Sequence, residues 1–253
     1  NRILVTGAKG QLGSELQVLS KDYSQFEWIF TDREELDLCD LDHLESEIAR
    51  INPQIIINCA AHTAVDRAET EVVFDGTAKT ALTETAATNP INVYGMTKLA
   101  GEKACLQENP NSIVIRTSWV YSSFGANFVK TMSKLMQERD TLNVVNDQIG
   151  SPTYAADLAQ AIMDILTHGQ WQAGIYHFSN EGEISWYEFA LAIKELGNFD
   201  CEISGIPGSN YPTPAKRPQF SLLDKSKIKN TFGVVVPDYL SSLRKCMKLL
   251  RSE

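Results

Sequence analysis

Residues Ile3 to Gly13, with the sequence ILVTGAKGQLG, decide the fold of this chain. The opening apolar run predicts a buried strand, and a helical pattern follows at 13–19. Gly7 allows a tight turn, Gly10 lets a pyrophosphate approach the backbone, and Gly13 permits close packing of the helix on the strand. Glycines at this spacing between a strand and a helix are typical of a dinucleotide-binding turn.

The rest of the chain alternates between short apolar runs and helical patterns. Strands are predicted at 27–30, 55–57, 112–116, 142–145 and 174–178, and helices at 41–52, 128–139, 154–167, 186–196 and 239–250. Such alternation predicts an α/β protein with a Rossmann-type, doubly wound parallel sheet and a smaller C-terminal α/β substrate-binding domain. The predicted nucleotide-binding domain comprises residues 1–122 and 147–180, and the predicted substrate-binding domain comprises residues 123–146 and 181–253.

The composition is that of an ordinary globular protein. Of the 253 residues, 43% are hydrophobic and 22% are charged. The apolar runs are shorter than the ~18 residues of a membrane span, and we expect no signal peptide. The net charge of −9 argues against nucleic acid as the main partner. Five scattered cysteines argue against a disulfide framework or a zinc site and favour a reducing cytoplasm.

A tyrosine and a lysine form the candidate catalytic pair. Tyr94 and Lys98 lie one helical turn apart, so their side chains project from one face. A lysine beside a tyrosine favours the phenolate and lowers the pKa of the phenol from its usual value of about 10. Tyr94 can then donate a proton to a carbonyl that is being reduced, or act as a base in the reverse oxidation. The alternative is a buried tyrosine beside a lysine that reaches toward solvent.

Polar residues after the second and third strands complete the candidate cofactor site. Asp32 ends the second strand, where an acid normally binds the adenosine ribose. Its neighbour Arg33 could instead neutralise a 2′-phosphate, so NAD and NADP are both candidates, and a surface Asp–Arg pair is the structural alternative. Asp37 and Leu38 are expected near the adenine. The residues that follow the third strand at the carboxyl edge are Ala60, Ala61 and His62.

With these residues in place, the chain resembles the extended short-chain dehydrogenases/reductases, and within them the dTDP-4-dehydrorhamnose reductases. The similarity spans nearly the whole chain. The glycine turn and the Tyr94–Lys98 pair are shared by the superfamily, whereas the segment around Trp119 and a proline-rich segment are specific to this branch. The most specific segments are AAHTAVDRAE at 60–69, NVYGMTKLAGE at 92–102, RTSWVY at 116–121, DQIGSPT at 147–153 and YPTPAKRP at 211–218.

The resemblance implies a role for individual residues. Tyr94 would protonate the C4 oxygen of a keto sugar while the nicotinamide delivers hydride to C4, and Lys98 would bind the nicotinamide ribose. Trp119 would contact the deoxysugar, with a packing role as the alternative. Lys216 and Arg217, held among prolines, would clamp the substrate diphosphate, unless they form a solvated basic loop. The residues implied to line the cofactor are Gly10, Gln11, Leu12, Asp32, Asp37, Leu38, Ala60, Ala61 and His62.

One segment departs from the family. The family carries a helix and a strand between the segment ending at Glu71 and the turn beginning at Val73. That strand ends in Ser-Thr-Asp, whose threonine completes the catalytic triad. In this chain Glu71 is followed by Val72 and Val73, so a unit of about 30 residues is absent. Its loss would leave parallel strands unpaired, so we expect the natural protein to carry additional residues here.

These inferences favour a cytoplasmic reductase that uses NADP(H) or NAD(H) and converts dTDP-4-dehydro-L-rhamnose to dTDP-L-rhamnose. The expected partner is this small-molecule nucleotide sugar, and no metal is needed for the chemistry. A homodimer and a structural Mg²⁺ are left open, although no ligand spacing indicates a metal. One alternative is a nucleotide-sugar epimerase or dehydratase of the same superfamily, which recycles its NAD. Another is a non-catalytic NAD(P)-binding regulatory subunit, like that of methionine adenosyltransferase.

Overall fold

The computed structural model describes residues 1–61, 73–90, 93–211 and 218–251. In these ranges the strands are β1 (Arg2–Thr6), β2 (Glu27–Thr31), β3 (Ile55–Asn58), β4 (Ile113–Arg116), β5 (Val120–Tyr121), β6 (Thr141–Val145), β7 (Ile149–Gly150), β8 (Thr153–Tyr154), β9 (Gly174–His177), β10 (Ile184–Ser185) and β11 (Glu202–Ile206). The helices are α1 (Gln11–Leu19), α2 (Leu41–Ile51), α3 (Val93–Glu108), α4 (Phe128–Glu138), α5 (Ala155–Thr167), α6 (Trp186–Gly197), α7 (Ser226–Phe232) and α8 (Tyr239–Leu250). None of these helices is long and apolar enough to cross a membrane.

Parallel pairing dominates the sheets. β1 lies between β2 and β3, and its last residue, Thr6, is paired with Thr31 on one side and with Asn58 on the other. These three strands therefore end at one carboxyl edge. β4 pairs with β9, and β6 with β11, again in parallel. The predicted α/β class with a Rossmann-type arrangement is confirmed, but the pairings within the described ranges form separate small sheets where a single sheet was expected.

One layer of helices covers the two sheets that contain β1 and β9. Helix α5 packs along α1. Ala159 of α5 lies in the core over β1, together with Ile3. Leu158 and Ala161 of the same helix lie in the core over β9, together with Tyr176. Because one helix contributes to both cores, the two sheets share a common covering layer.

The largest core lies among the later elements of the chain. It is built from α4, α6, α8, β6 and β11, and Tyr121 and Tyr154 join it from β5 and β8. Helix α7 belongs to a different core, because its Ile228 and Phe232 pack into the core over β9. The division of the chain into a nucleotide-binding and a substrate-binding domain stays a prediction.

Candidate active site

The first and third glycines of the turn between β1 and α1 are sterically required. Gly7 has a φ of 69°, in the left-handed region. A Cβ at Gly7 would lie 2.6 Å from the backbone nitrogen of Ala60, and one at Gly13 would lie 2.4 Å from the carbonyl oxygen of Gly7. Gly10 is exposed, and a Cβ there would approach only the Gly7 carbonyl, at 3.2 Å. Two glycines therefore permit close packing, and the middle one keeps the turn open to solvent.

The start of α1 can bind an anion through its backbone. Gly10 is the N-cap residue of α1 and makes no side-chain capping hydrogen bond. The side chains of the next two residues are used elsewhere, since Leu12 packs into the cores over β1 and β9. Gln11 accepts a hydrogen bond at its Oε1 from Asn127 Nδ2 at 3.1 Å. The N–H groups and the dipole of the helix favour a phosphate at this position.

Asp32 follows β2 and lies beside the glycine turn. Its Oδ1 accepts a hydrogen bond from the Arg33 N–H at 2.7 Å, and its Oδ2 accepts one from the Lys9 N–H at 2.8 Å. These backbone donors hold the pKa of the Asp32 carboxyl below its usual range, so the group is ionised at neutral pH. A carboxylate has further lone pairs, so a ribose hydroxyl can still donate to it.

Arg33 pairs with Asp37. The Arg33 Nε lies 3.2 Å from Asp37 Oδ2, and the Arg33 side chain is 81% exposed. Asp37 also accepts a hydrogen bond from the Cys39 N–H at 2.9 Å, and that bond, with the pairing to Arg33, lowers the pKa of its carboxyl. Leu38 is partly buried in the core around Leu4. An exposed ion pair costs little to open, so the Arg33 guanidinium is available to a 2′-phosphate.

The residues after β3 lie at the same edge as the turn. The Ala60 N–H donates to Asn58 Oδ1 at 3.0 Å, and the same oxygen accepts a hydrogen bond from Thr6 Oγ1 at 2.8 Å. This bonding fixes the chain after β3 against the end of β1, and Ala61 is exposed next to it. The predicted site residues that lie outside the described residues are His62, Lys216 and Arg217.

Tyr94 and Lys98 lie one turn apart on α3, as the sequence predicts. The Lys98 ammonium is 5.0 Å from the centroid of the Tyr94 ring, in a cation–π contact. Tyr94 is half-buried and Lys98 is exposed. Glu102 continues the same helix face and is buried, and it accepts two hydrogen bonds from the Arg116 guanidinium, at 2.6 and 2.8 Å. Arg116 ends β4, so the face that carries Tyr94 is bound to the carboxyl end of that strand.

A buried histidine extends this network without providing acid–base chemistry. Arg116 Nη1 lies 3.4 Å from His177 Nε2, and His177 Nδ1 lies 3.0 Å from the Leu82 carbonyl oxygen. Because arginine only donates, Nε2 is the acceptor and Nδ1 carries the proton. Burial and the Arg116 guanidinium lower the pKa of His177 to about 4. His177 is therefore neutral and structural at physiological pH, and its role is not visible in the sequence.

Trp119 and Trp186 form a stacked pair, called the tryptophan wall below, and the backbone of Trp119 is strained. Its φ is 50°, in the left-handed region that a bulky residue rarely adopts. The Trp119 ring stacks on Trp186, with centroids 3.8 Å apart and planes inclined by 18°. A Cβ at Gly150 would lie 2.9 Å from the Trp119 ring, so only glycine fits beneath it. Trp119 remains partly exposed, which leaves part of the wall accessible to a ligand.

Trp186 is a candidate site residue that the sequence analysis missed. It begins α6 directly after Ser185, whose side chain forms a capping box with Glu188. That Ser-x-x-Glu pattern can predict the start of the helix. It carries no information about the distant Trp119 segment, so the stacked pair appears only in the fold.

Two polar contacts bind the loop before α4 to α1. The Ser122 Oγ donates to Glu15 Oε1 at 2.6 Å, and Asn127 Nδ2 donates to Gln11 Oε1. Burial raises the pKa of the Glu15 carboxyl. This loop therefore lies against the helix that starts at the glycine turn, and neither contact could be predicted from the local sequence pattern.

Comparisons with known proteins agree with this architecture. The model of the RmlD substrate binding domain matches residues 1–72 and 70–252. A dTDP-4-dehydrorhamnose reductase of Aggregatibacter actinomycetemcomitans is 38% identical, over 96% of this chain and 97% of that protein. A crystal structure of a dTDP-4-dehydrorhamnose reductase from Clostridium acetobutylicum has a TM-score of 0.94 at 35% identity, covering 99% of this chain and 100% of that one. The Bacillus anthracis reductase, solved with NADP, has a TM-score of 0.91 at 32% identity, covering 98% and 99%. The resemblance inferred from the sequence is thus confirmed, and the chain belongs to the RmlD substrate binding domain family.

Proposed function

We propose that this protein is a cytoplasmic NAD(P)H-dependent oxidoreductase that reduces the 4-keto group of dTDP-4-dehydro-L-rhamnose to give dTDP-L-rhamnose. The product would feed the synthesis of surface polysaccharides. The observation that carries the proposal is the Tyr94–Lys98 pair on one face of α3, in a chain 38% identical to a dTDP-4-dehydrorhamnose reductase. Carbonyl reduction requires a proton donor and a site for a nicotinamide dinucleotide, and the chain offers a candidate for each.

The residues around the glycine turn fit a nicotinamide dinucleotide. The exposed Gly10 and the uncapped start of α1 would hold the pyrophosphate, and the ionised Asp32 would accept a hydrogen bond from the adenosine ribose. When bound, the nicotinamide supplies the hydride. Within the described ranges, no group of three or more His, Cys, Asp and Glu side chains is arranged to hold a metal ion.

Tyr94 would act on the oxygen of the reacting carbonyl. Hydride addition leaves negative charge on that oxygen, and the Tyr94 phenol would donate its proton there. Lys98 would bind the nicotinamide ribose and stabilise the phenolate that remains after the transfer. The Glu102–Arg116 ion pair would keep this helix face in position at the carboxyl end of β4.

Other predicted site residues would contact the cofactor and the substrate. The exposed Arg33 favours NADP(H), the cofactor in the Bacillus anthracis structure, and the Asp32 carboxylate keeps NAD(H) as the alternative. Trp119 would contact the deoxysugar through its accessible face. Lys216 and Arg217 remain candidates for the substrate diphosphate, with bidentate bonding available to the arginine. A homodimer stays a prediction.

The test supplies NADPH or NADH together with dTDP-4-dehydro-L-rhamnose and follows the nicotinamide absorbance. The proposal predicts one cofactor molecule oxidised for each dTDP-rhamnose formed, with faster oxidation of NADPH. A substrate that is epimerised or dehydrated without net cofactor oxidation would contradict the reductase and favour the epimerase or dehydratase alternative. Cofactor binding without any turnover would favour the regulatory-subunit alternative.

A further inference from the structure

The loop at residues 122–127 leaves the tryptophan wall and returns to it. Trp119 is followed directly by β5, and the loop begins where this strand ends. The residue after the loop, Phe128, begins α4. The Phe128 ring lies 4.6 Å from the Trp186 ring, which in turn stacks on Trp119. Both ends of the loop are therefore held at the wall.

The same loop lies against α1. Gly125 has a φ of 63°, in the left-handed region, and a Cβ there would lie 3.1 Å from Gln11 Cγ. The Ser122 hydroxyl donates a hydrogen bond to Glu15 and accepts one from the Phe124 N–H at 3.0 Å. The loop thus bridges the wall and the helix that begins at the glycine turn.

Asn127 joins the loop, α1 and α4 through one side chain. Its Nδ2 donates to the Ser122 carbonyl oxygen at 2.7 Å, to Gln11 Oε1 at 3.1 Å and to the Phe124 carbonyl oxygen at 3.3 Å. Because the amide has two N–H groups, one of them is shared between two acceptors. The Asn127 Oδ1 accepts a hydrogen bond from the Lys130 N–H at 3.1 Å and so caps α4. A displacement of this side chain would disturb all three elements.

Gln11 faces the turn with its backbone and the loop with its side chain. It is the first residue of α1, so its N–H is one of the donors that would hold the pyrophosphate. Its Oε1 meanwhile accepts the hydrogen bond from Asn127. A phosphate bound at the turn would fix Gln11, and Gln11 would in turn hold the loop through Asn127.

The wall is a place where such support matters. The φ of Trp119 is 50°, and a bulky residue keeps a strained backbone only where its surroundings hold it. The Trp119 carbonyl oxygen accepts a hydrogen bond from the Thr153 N–H at 3.1 Å. A steadier loop leaves less conformational entropy for a ligand at the wall to remove, so that ligand binds more tightly.

We infer that the 122–127 loop couples the two halves of the candidate site through the hydrogen bond from Asn127 to Gln11. A pyrophosphate bound at the glycine turn and a sugar bound at the tryptophan wall then strengthen each other's binding. Asn127 acts as a positioning residue, through Gln11 on one side and through Phe128 on the other. The inference rests on the proposed function for the identity of the sugar ligand.

The test measures binding by calorimetry with two probes, ADP-ribose and dTDP-L-rhamnose. ADP-ribose carries the pyrophosphate and lacks the nicotinamide, so a contact between nicotinamide and sugar does not contribute to the coupling. The inference predicts that saturating ADP-ribose lowers the Kd for dTDP-L-rhamnose by about fivefold or more, and that dTDP-L-rhamnose lowers the Kd for ADP-ribose by the same factor. Unchanged Kd values in both directions would overturn the inference.

Two variants remove the hydrogen bond from opposite ends. Asn127→Ser keeps an oxygen that can cap α4 and removes the amide donors. Gln11→Met removes the acceptor and keeps the backbone N–H, so it should still bind ADP-ribose. In both variants the coupling factor should fall to about one. If Asn127→Ser does not fold, Gln11→Met decides. The matched control Asn143→Ser changes an exposed asparagine on β6 and should keep the full factor. A full factor in the folded variants would overturn the inference.

Amide hydrogen exchange gives a readout that needs no sugar. The Lys130 N–H reports the loop, and the Thr153 N–H reports the wall through the Trp119 carbonyl oxygen. ADP-ribose alone should slow exchange at both amides in the unmodified protein, and it should not do so in Gln11→Met. Equal exchange with and without ADP-ribose would overturn the inference.

The two proposals fail in different ways. A protein in which ADP-ribose slows exchange at these amides, but which binds no dTDP-sugar, would contradict the proposed function and support the coupling through the loop. A protein that oxidises NADPH with dTDP-4-dehydro-L-rhamnose, but whose Kd values are independent of each other, would contradict the coupling alone.

Discussion

The glycine turn and the tryptophan wall are specified in different ways. At the turn, the atoms that exclude a Cβ from Gly13 belong to Gly7 and Ala8, so a short stretch of sequence encodes its own packing. At the wall, Trp119, Gly150 and Trp186 come from distant segments and meet only in the folded chain. The helix–strand packing at Gly13 is thus encoded locally, whereas Gly7, which packs against Ala60, and the tryptophan wall depend on tertiary packing.

The largest expected effect comes from breaking the turn. Gly13→Ala places a Cβ 2.4 Å from a backbone oxygen that cannot move aside. We expect a loss of about 3 kcal/mol or more in the free energy of unfolding, together with weaker NADPH binding. Urea denaturation and cofactor titration measure both quantities.

Gly101→Ala is the matched control, because a Cβ there meets nothing within 4 Å and the residue lies inside α3. It should stabilise the protein by about 0.5–1 kcal/mol through helix propensity. Equal destabilisation by both substitutions would contradict the steric account of the turn.

A second prediction concerns His177, which ends β9 and contacts Arg116 at the end of β4. Its pKa is about 4 in the folded protein, against about 6.5 in an unfolded chain. Between these values only the unfolded chain takes up the proton, so stability falls as the pH drops from about 6.5 to 4, by about 3 kcal/mol in all. His177→Asn should flatten this dependence in urea denaturation measured across that range. An unchanged slope would show that other groups cause it.

The tryptophan wall should give a smaller, selective effect. Trp186→Ala removes the ring on which Trp119 stacks, while the glycine turn stays intact. We expect the KM for the nucleotide sugar to rise by about tenfold and the Kd for NADPH to remain within about twofold. Loss of the near-UV circular dichroism of the stacked pair reports the structural change. Trp171→Ala, which removes an exposed tryptophan outside the wall, is the control.

Arg33 should give an effect of similar size that is confined to the choice of cofactor. Arg33→Ala removes the guanidinium proposed to bind a 2′-phosphate, so the preference for NADPH over NADH should fall by about tenfold. Arg50→Ala removes another exposed, ion-paired arginine, on α2, and should leave the preference unchanged. An equal loss of the preference for NADPH in both variants would show that the overall charge of the protein, and not a specific contact of Arg33, sets that preference.

The sequence predicted the elements better than their assembly. The final helix was expected at 239–250 and is Tyr239–Leu250, because its apolar spacing and the cap Asp238 are local. Strand β11 and helix α7 were not predicted. β11 contains Ser204 and Gly205 and depends on parallel pairing with β6, and α7 has only seven residues. Pairing partners that are distant in sequence leave no local periodicity.

The candidate site likewise contains features that the sequence could predict and contacts that it could not. Gly7, Gly13 and Asp32 could be found because the glycine motif and the acid that follows the second strand belong to one strand–helix–strand unit. The Tyr94–Lys98 pair could be found because helical spacing alone brings the side chains together. The Glu102–Arg116–His177 network and the Trp119–Trp186 stack join separate elements, and sequence spacing does not encode such contacts.

Turnover of Tyr94→Phe tests the central claim most directly, namely that Tyr94 supplies the proton in an NAD(P)H-dependent reduction. The substitution removes one hydroxyl and keeps the ring beneath Lys98. We predict a loss of about 10²–10⁴-fold in kcat with an unchanged Kd for NADPH, and normal turnover of the control Tyr23→Phe. Turnover of Tyr94→Phe at the rate of the unmodified protein would contradict the assignment of Tyr94 as the acid.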